Sequence, residues 1–468
     1  MAGKKNSVIK SILLAVLFAC AVIQTGMLWL DGNSGHNFFY YLTSRRFSQS
    51  DSSRPIEQIR PMDIAVGTGD NNFKRVFGSD SKLETLADDA VMRAVSQSKP
   101  EEPKDINWDD CLKSKCAVYE FKVSVPFGEY FMGMGLSDNR TPEYMKSFTH
   151  IVVVPYDSEI KNGAVYFINT ESGSFESAVY YLEESNGLSA EIDSVMSDKD
   201  IDIRYISTAV SGFSIFSRNV FVPQFTVSGD SLDGIDEIKC IDLSQASEEY
   251  LISQTEQFFS KYTAKTVSFE PSGTYTVSDS TTVVKCYPSG VLEYFSYGGD
   301  SSRESQTLSS AYYACVEFLK KDISIKTGYY LSDVRLTGEG LIFCFDYHIS
   351  GLPVMIGSTI KNDSGIDHAI EVAVVNNNVR KVKKLNANFI PKENAPEQIG
   401  VDFLTAVNYA MALNGGADKN RAEAAGAAAA VPLPPGGTAA LCGHCPAIFV
   451  PLCAQPSRNG TSGRLDIY

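Results

Sequence analysis

The stretch VVKCYPSGVLEYFSYGG, residues 283–299, shows the pattern that recurs along most of this chain. Two runs rich in β-branched and aromatic residues, Thr282–Tyr287 and Val291–Tyr297, flank the sequence Pro288-Ser289-Gly290. Runs of this kind around a short segment that contains Pro and Gly are typical of a β-hairpin. The sequence therefore predicts two antiparallel strands here, joined by a compact turn.

The segment after this hairpin predicts a helix that packs across strands. Within Ser305–Lys321, apolar residues recur at spacings of three and four, as on one face of an α-helix. They are Leu308, Ala311, Tyr312, Cys315, Phe318 and Leu319. Four strands are then predicted at Tyr329–Leu336, Leu341–Ile349, Ala369–Val375 and Val379–Leu385, the last two joined by Asn376-Asn377-Asn378. Antiparallel strands with a helix packed across them form an α+β architecture.

The preceding part of the chain predicts the same class of fold. An amphipathic helix is predicted over residues 82–97 from its apolar spacing. Strands are predicted at Ala117–Pro126, His150–Tyr156, Ala164–Asn169, Ser177–Glu183 and Phe213–Phe225. Two more helices are predicted at Ser247–Tyr262 and Glu397–Leu413. We therefore expect two α+β regions in series, residues 31–262 and 263–414, built from antiparallel sheets with packed helices.

The N-terminal residues predict a single transmembrane helix. Lys4, Lys5 and Lys10 precede an uncharged run, Ser11–Leu30. At about 1.5 Å of rise per residue, such a run is long enough for a hydrocarbon core of ~30 Å. Because a basic flank stays in the cytoplasm, residues after Leu30 should lie outside the cell. The sequence thus predicts a cytoplasmic tail over residues 1–10, an anchor in the cell membrane over 11–30, and an extracytoplasmic remainder.

Four residues of the predicted anchor form a candidate partner interface. Ser11, Ala15 and Ala19 are spaced by four and therefore share one face of a helix. Small residues at this spacing let two helix backbones approach closely within a membrane. Gln24 is costly there unless it finds a hydrogen-bond partner, which favours a protein neighbour over lipid. The alternative interpretation is that small residues are simply common in membrane helices.

A lipid anchor is a second interpretation of the same region. The residues LFAC, 17–20, distantly resemble a lipoprotein box that ends at Cys20. Apolar sequence continues past Cys20, however, and Phe18 is too large for such a box. We therefore favour the spanning helix.

The net charge of the chain argues against one class of function. The chain has 468 residues and a net charge of −15, which argues against nucleic acid as a partner because phosphate binding requires clustered Lys and Arg.

Cys286, Cys315 and Cys344 fall on apolar faces and are predicted to be buried thiols. Cys111 and Cys116 could close a local disulfide loop, although spacing alone does not fix the pairing.

The sequence GDSL, residues 229–232, offers an enzymatic interpretation. It matches the nucleophile block of a hydrolase family, with Ser231 as the nucleophile. Such a serine requires a His general base, usually in a late Asp-x-x-His that this chain lacks. His348 lies on a predicted strand and His368 beside a turn. We therefore predict no catalytic residue, metal or cofactor, and keep an extracytoplasmic serine esterase using Ser231 as the alternative.

Residues 415–468 differ sharply in composition from the rest of the chain. From Ala424 onward the segment is rich in Ala and Pro and almost free of charge. It contains Cys-Gly-His-Cys, residues 442–445, which resembles a redox dithiol, or a zinc half-site completed by Cys453. A redox dithiol needs a strand before it and a helix after it, and neither is predicted here. We interpret the segment as a disordered extension or as out-of-frame translation that begins near residues 421–430.

Three segments of the chain resemble one family of regulators. They are VVKCYPSGVLEYFSYGG (283–299), GLIFCFDYHISGLPV (340–354) and HAIEVAVVNNNVRKVKKL (368–385). Together with the short tail, single helix and long ectodomain, they resemble the YycH/YycI family of Gram-positive bacteria, the length being more similar to YycH. The resemblance implies a membrane-embedded accessory regulator of a sensor histidine kinase that controls cell-wall metabolism. It also implies a sister regulator of the same family as a second partner.

Deleting residues 424–468 should leave the folding of the remaining chain unchanged, because this segment offers no periodic apolar face to bury. Replacing Cys442 and Cys445 by Ser should likewise have no measurable effect. Thermal unfolding of both variants beside the full chain tests this. A fall of several degrees in Tm in either variant would contradict the prediction.

Overall fold

The computed structural model describes the central part of the chain, between residues 59 and 398. The described residues are 59–76, 81–104, 106–136, 138–157, 162–170, 175–184, 186–198, 203–213, 218–224, 231–260, 263–297, 306–322, 324–349, 352–354 and 356–398. They form a mixed α and β structure that is dominated by two large antiparallel sheets.

The first sheet has eight strands, in the order β6-β5-β4-β3-β1-β2-β7-β8. The strands are β1 Asp63–Gly67, β2 Phe73–Val76, β3 Cys116–Pro126, β4 Ser147–Asp157, β5 Asn162–Asn169, β6 Glu176–Tyr181, β7 Tyr205–Ser207 and β8 Phe221–Pro223. Every pairing between neighbouring strands is antiparallel. The four longer predicted strands before residue 200 are confirmed, with ends that differ by up to three residues.

Four helices accompany the first sheet. They are α1 Lys82–Gln97, α2 Trp108–Leu112, α3 Phe127–Gly133 and α4 Leu188–Ser197. Helix α1 has the bounds that its apolar spacing predicted, and the Ser81 hydroxyl caps it by accepting from the backbone N–H of Glu84 at 3.1 Å. Six apolar residues of α1 are buried and form the face that packs inward, whereas Met92 is exposed.

Aromatic rings fill the core beside β3, β4 and β5. Phe148 lies at the centre, with ring centroids 4.9 Å from Phe167, 5.0 Å from Phe127 and 5.1 Å from Tyr130. These pairs meet edge to face, the geometry that aromatic quadrupoles favour, and each contributes ~0.5–1.5 kcal/mol beyond the burial of its area. The sequence does not predict α3, whose Phe127, Tyr130 and Phe131 are buried in this cluster.

The second sheet has nine strands and follows the first along the chain. Its order is β10-β11-β12-β13-β18-β17-β15-β14, with the short β16 paired to β15. The strands are β10 Thr266–Phe269, β11 Tyr275–Ser278, β12 Thr282–Cys286, β13 Val291–Ser296, β14 Gly328–Leu336, β15 Leu341–Ile349, β16 Leu352–Pro353, β17 Ile370–Val375 and β18 Asn378–Leu385. Three helices accompany it: α5 Glu248–Thr255, α6 Leu308–Lys321 and α7 Ser358–Ser364.

The quoted hairpin and the hairpin of β17 and β18 both form as predicted. Gly290 has φ 86° and closes the first turn by donating its N–H to the Tyr287 carbonyl at 3.0 Å. Asn376 and Asn377 have φ of 50° and 58°, the left-handed values that a two-residue hairpin turn requires. Asn tolerates this conformation better than most residues, which explains the Asn-rich turn.

A separate two-stranded ribbon consists of β9, Ser231–Lys239, and β19, Ala387–Gln398. The predicted helix Glu397–Leu413 is wrong at its start, because Glu397 and Gln398 pair with Leu232 and Ser231 at the end of this ribbon. Cross-strand pairing therefore overrides the helical spacing there. The remainder of that predicted helix lies outside the described residues.

Two other elements are shorter in the structure than the sequence predicts. The helix predicted at Ser247–Tyr262 ends at Thr255 and continues as a 3-10 turn over Glu256–Phe258, with Ser247 as its N-cap. Of the strand predicted at Phe213–Phe225, only Phe221–Pro223 is extended among the residues the structure describes. Phe213 donates its N–H to the Thr208 carbonyl, so the chain at this point forms a turn and does not pair as a strand.

Among the described residues, no helix is long and apolar enough to cross a membrane. The predicted anchor Ser11–Leu30 lies outside them, as do its interface residues Ser11, Ala15, Ala19 and Gln24. The segment 415–468, with its Cys-Gly-His-Cys sequence, also lies outside. The anchor, its interface, the tail and the division of the ectodomain at residue 262 therefore stay predictions.

A buried ion cluster joins three strands at the centre of the first sheet. The Arg75 guanidinium on β2 lies 2.8 Å from the Asp63 carboxylate on β1 and 2.7 Å from the Glu120 carboxylate on β3. The Arg75 side chain also lies over the Tyr205 ring, 5.1 Å from its centroid. One cation thus serves two buried carboxylates, and burial raises the pKa of Asp63 to about 7.

A second buried carboxylate joins the two sheets. Glu129 on α3 accepts a hydrogen bond from the backbone N–H of Ser309 at 3.0 Å, and another from the Ser309 hydroxyl. Ser309 lies in the first turn of α6, where backbone N–H groups lack helical partners. The negative charge of Glu129 therefore satisfies these donors and interacts favourably with the positive end of the helix dipole.

The Asp63→Asn variant should remove a pH dependence from the stability of the protein. Because the pKa of Asp63 is about 7 in the folded state and 3.8 ordinarily, the folded chain holds a proton that the unfolded chain releases. The stability of the wild type should therefore fall as pH rises from about 4 to about 7, and then level off. At ~1.4 kcal/mol per pKa unit, the effect reaches a few kcal/mol.

Thermal unfolding between pH 4.5 and pH 8 measures this effect. The Tm of Asp63→Asn relative to wild type should increase across that interval, since the neutral amide needs no ionisation. Asp70→Asn, at an exposed position near β1, is the matched control and should follow the wild type. Parallel curves for wild type and Asp63→Asn would show that Asp63 is ionised throughout.

Candidate functional site

A cluster of polar and metal-ligating side chains lies on one face of the second sheet. Side chains alternate between the two faces of a strand. Phe343 and Phe345 on β15 point toward α6, where the Tyr312 ring lies 5.6 Å and 6.5 Å from them. Cys344 and Asp346, which alternate with these residues, therefore face the opposite side. We call this the polar face of the second sheet.

A β-bulge in β14 brings further polar groups to the polar face. Leu331 pairs with Phe345 and Asp333 pairs with Cys344, so that Ser332 is an extra residue. A bulge of this kind turns side chains away from the simple alternation of a strand. The Ser332 hydroxyl lies 3.1 Å from both the Cys344 carbonyl oxygen and the His368 Nδ1 atom.

His368 precedes β17 and is held by Asp346. Its Nδ1 atom lies 3.1 Å from Asp346 Oδ2, and the Asp346 carboxylate also accepts from the backbone N–H of Ala369 at 3.2 Å. Burial acts to raise the pKa of Asp346, but the hydrogen bond and charge of His368 outweigh it and the pKa is lowered. Asp346 is therefore an anionic acceptor that fixes the orientation of the imidazole.

An arginine and two more carboxylates border this pair. Arg335 Nε lies 3.0 Å from Asp333 Oδ2, and Arg335 Nη2 lies 3.9 Å from Glu371 Oε1. Glu371 also accepts from the backbone N–H of Asp367 at 3.0 Å. The carboxylates are only partly exposed, at 19% for the Asp333 side chain and 16% for that of Glu371. These two carboxylates therefore contact solvent at the border of the cluster, whereas Cys344 is fully buried.

The grouping of Ser332, His368 and Asp346 does not form a catalytic relay. In a hydrolytic triad, the serine hydroxyl bonds one ring nitrogen of the histidine while the carboxylate bonds the other. Here both Ser332 and Asp346 lie against the same atom, Nδ1. The Ser332 hydroxyl also donates to the Cys344 carbonyl. The geometry therefore does not allow His368 to withdraw a proton from Ser332 toward Asp346.

The same cluster does contain a set of metal-ligating atoms. A carboxylate oxygen of Asp333, the Cys344 sulfur and a ring nitrogen of His368 all lie within 4.8 Å of one another. Burial raises the pKa of the Cys344 thiol, so that without a metal it is protonated. The sequence predicts no metal ligand, and no spacing motif links these three residues. Only the pairing of β14, β15 and β17 brings them together.

The esterase alternative gains no support from the position of Ser231. This residue begins β9 and pairs with Gln398 in the antiparallel ribbon, rather than lying on a turn between a strand and a helix. The described bonds of the His368 ring are with Ser332 and Asp346. His348 is largely buried on β15, and burial, with the nearby charge of Arg75, lowers its pKa.

The structure confirms part of what the sequence predicts for the cysteines. Cys286, Cys315 and Cys344 are buried free thiols, which confirms that prediction. Cys111 and Cys116 are also free, so they do not form the local disulfide that their spacing would allow. Burial raises the pKa of each of these two thiols to about 12, and both are therefore unreactive.

Comparison with known proteins gives resemblances at the level of structure only. No protein-family model and no curated protein sequence matches the chain. The structure is similar to YycH from Bacillus subtilis, with 13% identity over 78% of this chain and 89% of that one, at a TM-score of 0.46. An uncharacterized protein from Eubacterium rectale has 10% identity over 42% of this chain and 70% of its own, at a TM-score of 0.26. At these values, neither similarity assigns an activity or a partner to this chain.

Proposed function

We propose that this chain is a non-catalytic, membrane-anchored regulator that acts through protein contacts. The proposed partners are a sensor histidine kinase that controls cell-wall metabolism and a sister regulator. The resemblance of three segments to the YycH/YycI family supports this choice of partners. The structural observation that carries the proposal is the two-stranded ribbon of β9 and β19.

The ribbon offers unpaired strand edges to another protein. Among the described residues, β9 and β19 form ladder bonds only with each other. An unpaired strand edge presents N–H and C=O groups that can add a strand from a partner. Ile238 and Ile390 on the ribbon are 48% and 43% exposed. A ribbon with open edges and exposed apolar side chains is suited to protein recognition.

The base of the ribbon is fixed to the second sheet. The Asn388 side chain accepts from the backbone N–H of Lys326 at 2.8 Å and donates to the Ser324 carbonyl at 2.9 Å. Asn386 donates its N–H to the Gly290 carbonyl at 2.7 Å. A partner that binds the ribbon would therefore meet an element of defined orientation, which lowers the entropy cost of association.

A second contact is proposed within the membrane. Ser11, Ala15, Ala19 and Gln24 would lie on the part of the anchor that meets a helix of the kinase or of the sister regulator. Small residues allow close approach, and Gln24 would contribute an interhelical hydrogen bond of ~0.6–2 kcal/mol. Two contacts on one chain raise the effective concentration of the second once the first has formed.

Replacing Ile238 and Ile390 by Lys should weaken the contact with the kinase, because two charges would have to be desolvated in the interface. A photo-crosslinking residue placed at Lys239 in cells should give an adduct with the histidine kinase. The adduct should decrease strongly in the double Lys variant, together with the kinase-dependent transcriptional output.

Met92→Lys is the matched control for this experiment, since Met92 is 40% exposed on α1, far along the chain from the ribbon. It should leave the adduct and the output unchanged. Undiminished adduct and output in the double Lys variant would show that the ribbon is not the contact surface.

Ala15→Leu should block the close approach of a partner helix and abolish the signalling output, because the larger side chain separates the two backbones. Leu14→Ala changes a neighbouring position on another face and should retain the output. Crosslinking within native membranes measures the helix contact directly. Normal output and undiminished crosslinking in Ala15→Leu would show that this helix serves only as an anchor.

A further inference from the structure

We propose that Asp333, Cys344 and His368 bind a thiophilic divalent cation of the Zn²⁺ class on the polar face of the second sheet. This site is independent of the proposed regulatory function and of the ribbon. Its three ligands come from β14, from β15 and from the residue pair before β17.

The donor set matches the preferences of zinc. Zn²⁺ takes thiolate, imidazole and carboxylate ligands in tetrahedral geometry, at about 2.3 Å for sulfur and about 2.0–2.2 Å for nitrogen and oxygen. Such an ion would separate its ligand atoms by roughly 3.3–3.8 Å. The three atoms already lie within 4.8 Å of one another, so that small side-chain movements suffice to bind the ion. A water molecule would take the fourth position.

His368 is oriented as metal-binding histidines usually are. A ligating histidine commonly donates its other ring N–H to a carboxylate, which fixes the tautomer and the plane of the ring. Asp346 lies 3.1 Å from Nδ1 of His368 and would accept that proton. With that proton on Nδ1, the lone pair of the ring is on Nε2, and this is the nitrogen that we propose as the ligand. Asp346 is thus a positioning residue, held in turn by the backbone N–H of Ala369.

The charge around the cluster favours a dication. Asp333, Asp346 and Glu371 carry three negative charges, and Arg335 carries one positive charge. Binding would convert the Cys344 thiol to a thiolate and release its proton to solvent, forming the metal–sulfur bond in place of the S–H bond. Arg335, which bonds Asp333 at 3.0 Å, has Glu371 as an alternative partner at 3.9 Å. The arginine can therefore leave Asp333 to the metal without losing a counter-ion.

Titration with Co²⁺, a spectroscopic substitute for Zn²⁺, tests the site in the full chain under reducing conditions. The residues Cys442, His444, Cys445 and Cys453 offer a competing set of ligands. The starting protein therefore has all three of these cysteines replaced by Ser. One equivalent of Co²⁺ should give a thiolate-to-metal charge-transfer band and the visible bands of a tetrahedral ion, and Zn²⁺ should displace it.

In that background, Cys344→Ser should abolish the charge-transfer band, and His368→Ala should remove the tetrahedral spectrum. Asp346→Asn should weaken the metal affinity about 10- to 100-fold while the spectrum is retained, as expected for a residue that orients a ligand. Cys286→Ser, a buried thiol on β12, is the matched control and should bind Co²⁺ like the starting protein.

The melting curves of the metal-free variants establish that each one folds. If the folded starting protein gives no band, or if Cys344→Ser leaves the band unchanged, the proposal is wrong. A band that disappears equally in Cys286→Ser would also overturn it, because the thiolate would then come from elsewhere.

Discussion

The first sheet depends on one buried guanidinium. Arg75 bonds the carboxylates of Asp63 and Glu120, which lie opposite each other on paired strands and would otherwise repel in a medium of low dielectric. Removing one partner of a buried ion group typically costs ~3–5 kcal/mol, since an uncompensated charge is left behind. The cluster therefore fixes the register of β1, β2 and β3. These strands carry the remainder of the sheet on both sides.

The contact between the two halves of the structure includes a buried polar bond, and it lies near a strand edge. Strand β14 is the last strand of the second sheet and lies close to β3 of the first. The Glu129 carboxylate on α3 bonds the first turn of α6. The first sheet thus lies close to an edge that would otherwise be open to other chains. The opposite edge strand, β10, has only four residues, and a short edge is a weak template for pairing.

The local pattern of apolar residues was sufficient to predict those elements whose structure depends on their own buried face. Helix α1 and strand β15 have the bounds that the apolar spacing predicted, because in each one face is buried along its whole length. The end of β19 could not be predicted in this way. Its partner is β9, which lies more than 140 residues earlier in the chain. The hydrogen bonds to β9 outweigh the helical spacing of the apolar residues.

The polar face could not be predicted from the sequence, for a related reason. Asp333, Cys344 and His368 share no spacing motif, and the alternation of β14 alone would not predict the direction of Ser332. The bulge after Leu331 depends on the pairing with β15 and changes which residues meet Cys344. The sequence places His368 only beside a turn. Its role follows from Asp346, which reaches it across the boundary between β15 and the start of β17.

The ribbon is a sheet of its own, separate from the second sheet that carries the polar face, and different buried groups lie near each of them. Lys384 on β18 bonds Asp322 at the end of α6, and both side chains are 1% exposed. Gln257 donates to the other oxygen of Asp322 at 3.0 Å, so that the carboxylate has partners on two sides. Lys384 lies three residues before β19 begins, whereas Asp333 and Cys344 lie on β14 and β15, on the far side of β17. A partner on the ribbon would therefore act on a strand whose base is fixed, and an ion on the polar face would stabilise the half of the second sheet that contains β14 and β15.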